Sequence, residues 1–99
     1  MKMIKHIVMF KLKDDCPREK ITAARDMALA LKNTVPQIKS INVGINSDDA
    51  PQDNYTIVLD VDFDSIDDLN AYQKNPNHIE FGKFIKDLRT DRACIDYEY

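Results

Sequence analysis

Apolar and polar positions alternate with period two over residues 3–13. Ile4, His6, Val8, Phe10 and Leu12 point one way; Met3, Lys5, Ile7, Met9 and Lys11 point the other. Branched and aromatic side chains in that rhythm predict a strand, apolar on both faces. Asp14-Asp15-Cys16-Pro17 ends it, and the period then changes. Ile21, Ala24, Ala28, Leu31 and Val35 recur at spacings of three and four, which predicts an amphipathic helix over about 17–34. Pro17 suits its first turn, and Pro36 stops it by disfavouring helical dihedrals at the residue before.

Alternation returns over 38–45, where Ile41, Val43 and Ile45 share a face, and a polar, turn-rich loop follows at 46–54. Tyr55, Ile57, Leu59, Val61 and Phe63 then occupy one face of a third strand, with Thr56, Val58, Asp60 and Asp62 on the other. Ser65, with Asp68 three residues on, resembles a capping box and opens a helix over about 65–75. Asn75-Pro76 breaks that helix and starts another, whose stripe is Phe81, Phe84, Ile85 and Leu88. Ala93, Ile95, Tyr97 and Tyr99 alternate with Cys94, Asp96 and Glu98 in a last strand. The order βαββαβ, with the second helix in two pieces, predicts one α+β domain over 1–99. It is a ferredoxin-like sandwich with helices on one face of an antiparallel sheet. Helices on one face leave the other uncovered, and burying one large apolar side chain is worth roughly 1.5–3 kcal/mol. A symmetric homodimer, sheet against sheet, is the expected solution.

Composition adds exclusions. Of 99 residues, 43% are hydrophobic and 31% charged, with only 2 Gly and 4 Pro, so collagen-like, low-complexity and disordered readings fall away. The net charge of −3 provides no global basic field for nucleic acid or an anionic membrane, and neither is an expected partner. No apolar run approaches the ~20 residues of a membrane span or the ~7 of a secretory core, so the expected address is cytoplasmic. Cys16 and Cys94 lie far apart and form no ligand motif with histidine; free thiols and no metal are expected. Asp60, Asp62, Asp64, Asp67 and Asp68 lack the glycine-containing spacing of a calcium loop and are expected to be solvated surface.

Two histidines and one tyrosine carry the candidate chemistry. His78 is the third residue of the helix begun by Pro76, on the face of Phe81, Ile85 and Leu88. A helix N-terminus and apolar surroundings both lower an imidazole pKa, giving the neutral ring a general base requires. Tyr72, just before the break, can offer a phenol to a developing enolate oxygen. The structural alternative is a core histidine bonded to a carbonyl, with Tyr72 in the apolar stripe of Ile66 and Leu69. For His6, beside Val8 and Phe10, a buried and satisfied ring is the default.

Ile4-Lys5-His6-Ile7-Val8-Met9-Phe10-Lys11, Val35-Pro36-Gln37-Ile38-Lys39-Ser40, and Tyr72-Gln73-Lys74-Asn75-Pro76-Asn77-His78 with Phe81 together resemble the stress-responsive A/B barrel (Dabb) family over about residues 3–98. The resemblance implies a homodimeric α+β barrel that needs no cofactor. A plant polyketide-cyclase branch of that family uses a tyrosine–histidine acid–base pair in the stretch matched by Tyr72 and His78. His6 matches a further pocket histidine, and Ile57 stands where another would be. On this reading His78 and Tyr72 are catalytic, and His6, Val8, Phe10, Ile57, Leu59 and Phe81 line a site for a small, partly apolar carbonyl or aromatic ligand. Two alternatives stand beside cyclase or lyase chemistry: a noncatalytic stress-associated dimer, and a cofactor-independent oxygenase resembling other α+β barrels.

Overall fold

The computed structural model describes residues 2–99. Its elements in chain order are β1 (Ile4–Leu12), α1 (Arg18–Thr34), β2 (Ser40–Ile45), β3 (Ile57–Phe63), α2 (Ile66–Lys74), α3 (Pro76–Lys86) and β4 (Arg89–Glu98). The four strands form one antiparallel sheet in the order β2-β3-β1-β4. This is the expected ferredoxin-like α+β fold. No helix among the described residues is long and apolar enough to cross a membrane.

Local chemistry sets the helix boundaries. Pro17 occupies the N-cap of α1 in an extended conformation, and Val35, extended before Pro36, closes it. Ser65 Oγ accepts from the Asp68 amide at 3.1 Å, capping α2. The Asn75 side chain accepts from the Asn77 amide at 2.9 Å, and Pro76 takes the first position of α3, where its missing N–H costs nothing. The expected break at Asn75-Pro76 is therefore built from both residues, and it fixes where His78 enters the fold.

The core lies between the helices and one face of the sheet. Ile4, Val8, Phe10 and Leu12 of β1 and Ile57, Leu59, Val61 and Phe63 of β3 are buried there, with Leu31, Leu69, Tyr72, Phe81 and Ile85 from the helices. Ile41, Val43 and Ile45 of β2 pack against this cluster. The opposite face carries Ile7, Met9, Val58, Ala93, Ile95 and Tyr97, with Ile95 59% and Tyr97 42% exposed.

Three boundaries differ from the sequence reading. β2 begins at Ser40 and β3 at Ile57, because residues 38–39 and 55–56 are still irregular chain leading out of the preceding turns. Tyr55 therefore leaves the apolar row of β3, and its hydroxyl donates to Asp91 across β1 at 2.6 Å. The apolar row Ile57, Leu59, Val61 and Phe63 of β3 is helix-covered, so the uncovered apolar surface comes from β1, β4 and the single β3 residue Val58. β4 starts at Arg89 rather than at Ala93: Arg89, Asp91 and Arg92 pair with β1, and Thr90 between them donates its hydroxyl to the Lys11 carbonyl at 3.3 Å.

The acidic run is distributed among separate tasks. Lys5 Nζ lies 3.0 Å from Asp60 and 2.9 Å from Asp62. Asp62 also accepts from Ser40 Oγ and the Tyr99 hydroxyl. Partial burial would raise the Asp62 pKa, but the bonds from Ser40, Tyr99 and Lys5 outweigh it and hold the carboxyl below its ordinary value. Asp64 lies 3.8 Å from Lys39, and Asp67 and Asp68 sit in the first turn of α2, where negative charge is favourable.

Candidate functional site

A cavity of about 110 Å³ opens between the helix-covered face of β1 and the α2–α3 corner. His6, Val8, Phe10, Leu59, Tyr72, His78 and Phe81 line it, so seven of the eight residues expected from the sequence meet at one place. Ile57 does not join them. It is buried in the core beside a larger depression of about 530 Å³ that also touches Met9, Ile45 and Tyr55. That depression holds neither histidine.

Tyr72 is the last buried residue of α2 and is only 1% exposed. Its ring lies 4.3 Å from that of His78, 5.0 Å from Phe63 and 5.8 Å from His6, each centroid to centroid. Burial, helped by the neighbouring Cys94, pushes the phenol well above its ordinary value of 10.0, against a weaker opposing pull from Arg92. Tyr72 is therefore a neutral hydrogen-bond donor throughout the physiological range.

His78 is half-buried, and its Nδ1 is fully buried without a hydrogen-bond partner among the described residues. Burial lowers its pKa from 6.5. The Gln73 carbonyl works in the opposite sense, and repulsion from His6 and Arg92 adds to the lowering. The ring is neutral at physiological pH, as a general base must be. Nδ1 is closed off from solvent and the Gln73 carbonyl acts on the ring as a backbone hydrogen-bond acceptor, so it is the place of this histidine in the cavity wall that sets it apart from a satisfied core residue.

His6 is 2% exposed and satisfied differently. Its Nδ1 lies 2.5 Å from Asp96 Oδ1, the residue opposite it in the β1–β4 register. An Nδ1–H donating to that carboxylate leaves Nε2 as the other polar atom of the ring. Cys94 Sγ stands 3.6 Å from the same Nδ1. Burial, then the Asp96 charge, raises the thiol pKa, so Cys94 is not an activated nucleophile.

His6, Cys94 and Asp96 bring three potential metal-ligand atoms within 4.8 Å of one another. Spacing along the chain could not show this, because the register of β1 on β4 joins residues about ninety positions apart. The 2.5 Å separation of His6 and Asp96 is that of a hydrogen bond. Two ligands of one tetrahedral zinc stand about 3.3 Å apart, given bonds of ~2.0–2.1 Å. The trio is thus organised as a histidine–carboxylate pair with a neighbouring thiol.

Sequence reasoning also missed Gln73, Gly82, Ile85, Arg89 and Arg92 in the cavity wall. Ile85 was visible in the helical stripe. The arginines were not, because residues 89–92 carry no apolar alternation.

Comparison with known proteins places this geometry. The family described as the stress responsive A/B barrel domain matches residues 4–99. Olivetolic acid cyclase of Cannabis sativa is 23% identical over 95 residues, which cover 95% of this chain and 94% of the cyclase. A dimeric protein of unknown function and ferredoxin-like fold from Bacteroides fragilis is 37% identical, with a TM-score of 0.82, over 98% of this chain and 96% of that one. The hydroxynitrile lyase of Passiflora edulis shares the fold at a TM-score of 0.85 and 22% identity, over 98% and 93% of the two chains. With the family match running from β1 to the last residue, this chain belongs to the stress-responsive A/B barrel domain family.

Proposed function

We propose that the cavity binds a small carbonyl or aromatic compound and that His78, with Tyr72, supplies acid–base chemistry of the cyclase or lyase type. The observation that carries this reading is the convergence on one cavity wall of His78 and Tyr72, their ring centroids 4.3 Å apart, with the phenol held protonated by burial. His78 removes a proton alpha to a carbonyl, and Tyr72 donates a hydrogen bond to the oxygen that becomes an enolate. A positioned base of this kind contributes about 10²–10⁴ in rate. The similarity to a cyclase and to a lyase supports the reaction class. The volume of about 110 Å³ suits a compact ligand rather than the polycyclic substrates of an oxygenase.

The functional unit of the proposal is a homodimer. Ile7, Met9, Val58, Ile95 and Tyr97 form an apolar face that the helices do not cover, and the B. fragilis relative with a matching fold is dimeric. A cytoplasmic location fits the absence of a membrane-spanning helix among the described residues.

The chain has only 2 histidines, so proton NMR resolves both imidazoles once His78→Gln assigns them. We expect His78 to titrate below 6.5 and to shift on adding acetophenone or 2,4-pentanedione. A normal titration with no response to either compound would leave a noncatalytic dimer as the better reading.

A further inference from the structure

Apart from Gln73 of α2, the wall of the cavity is apolar or aromatic except on one side, where β4 contributes the two cationic residues Arg89 and Arg92. Residues three apart on a regular strand point to opposite faces, because the side-chain period is two. Here they do not. The register shifts between Lys11 and Leu12, so that Lys11 pairs with Asp91 while Leu12 pairs with Arg89. The bulge takes up Thr90 and turns Arg89 to the face of Leu12; Arg92, opposite Phe10, is already on that face. Bulges re-aim side chains in this way and are frequent beside active sites.

Arg92 has the uncharged Cys94 thiol as a side-chain partner, but neither arginine is matched by a carboxylate. Among the described residues neither makes a salt bridge, although the chain has 17 acidic residues. Arg89 lies near enough to Asp91 to lower its pKa, but Asp91 is engaged by the Tyr55 hydroxyl. Arg92 is exposed and Arg89 half-buried, whereas Tyr72, Phe81 and His6 are buried, so the guanidinium groups stand at the open end.

We propose that Arg89 and Arg92 form an anion clamp at the cavity mouth, and that the ligand is a small carboxylic acid, either a short keto acid or a simple aromatic acid. The carboxylate meets the guanidinium groups, and the carbonyl or ring points inward to Tyr72 and His78. Guanidinium suits this role because its planar fork matches a carboxylate bidentately. The inference rests on the cavity being a ligand site, and it adds the charge and orientation of what enters.

Matched pairs test it: acetoacetate against methyl acetoacetate, and benzoate against methyl benzoate, titrated against the His78 resonance. The acids should bind at least about tenfold more tightly than the esters, the scale of one hydrogen bond to a charged group. Arg92→Gln and the double variant Arg89→Gln/Arg92→Gln should abolish that preference, while Arg92→Lys keeps part of it. Rising salt should erode it, because the mouth is solvent-accessible. If esters bind as tightly as acids, or the glutamine variants keep the preference, the clamp is wrong while the cavity remains a site. If no compound moves His78, the site reading falls and the clamp with it.

Discussion

At the scale of single residues, His78 links the site to the stability of the protein. Its folded pKa is depressed by burial, so between that value and 6.5 the unfolded chain binds a proton that the folded chain refuses. The stabilisation that this shift represents is complete above 6.5 and declines as the pH falls toward the folded value. Urea melts across pH 4.5–8 should show that slope, and His78→Gln should flatten it. Tyr72→Phe separates packing from chemistry at the neighbouring position. It keeps a ring against Phe63 and His78 and removes only the donor. The variant should fold with nearly unchanged stability while losing about 10²–10³ in turnover of any substrate the wild type converts. A loss of stability with intact turnover would make Tyr72 a structural residue.

Elements explain which parts of this site could be read from the sequence. The α2–α3 corner is local: Ser65, Asn75 and Pro76 each act within three residues, and the spacing of His78, Phe81 and Ile85 is helical. Both catalytic candidates were therefore visible. β4 is the opposite case. Residues 89–92 have no apolar rhythm, and their place in the sheet follows from the register on β1. Asp96 beneath His6, and the bulge that pairs Arg89 with Arg92 on one face, depend on contacts across some eighty to ninety residues. Ile57 shows the limit of alternation from the other side. Its face was read correctly, but face alone does not say which cavity a residue lines.

The same corner yields a prediction for α3. Gly82 sits inside the helix, lines the cavity, and would present an added Cβ with no atom within 4 Å. Gly82→Ala should stabilise the fold by about 0.5–1 kcal/mol through helix propensity. The new methyl group would occupy space in a cavity of only about 110 Å³, so ligand binding should weaken as the melting temperature rises. Calorimetry on one preparation reads both, and tighter binding would show that Gly82 borders the cavity without limiting it.

On the scale of the whole molecule, the uncovered sheet face decides the assembly. Its apolar residues come from β1, β4 and Val58 of β3, with Ile95 directly opposite Ile7 near the middle of the sheet. Its polar residues are already matched, Lys5 by Asp60 and Asp62, and Asp62 by Ser40 and Tyr99. Lys11 and Asp91 of the same face are likewise hydrogen-bonded, to the Gln52 and Asn54 carbonyls and to the Tyr55 hydroxyl. A face whose charged groups each have a partner within the chain can be buried against a copy of itself without leaving a bare ion, which would otherwise cost several kcal/mol. Ile95→Glu tests this directly. Ile95 is 59% exposed in the single chain, so a glutamate there should barely disturb an isolated protomer. In a sheet-to-sheet dimer it would place like charges at the symmetric interface. Sedimentation should give twice 11.4 kDa for the wild type and a single protomer for Ile95→Glu. The wild-type melting temperature should also rise with protein concentration, and that of the variant should not. A variant that still sediments as a dimer would move the interface off this face and leave its apolar stripe to be covered by something else.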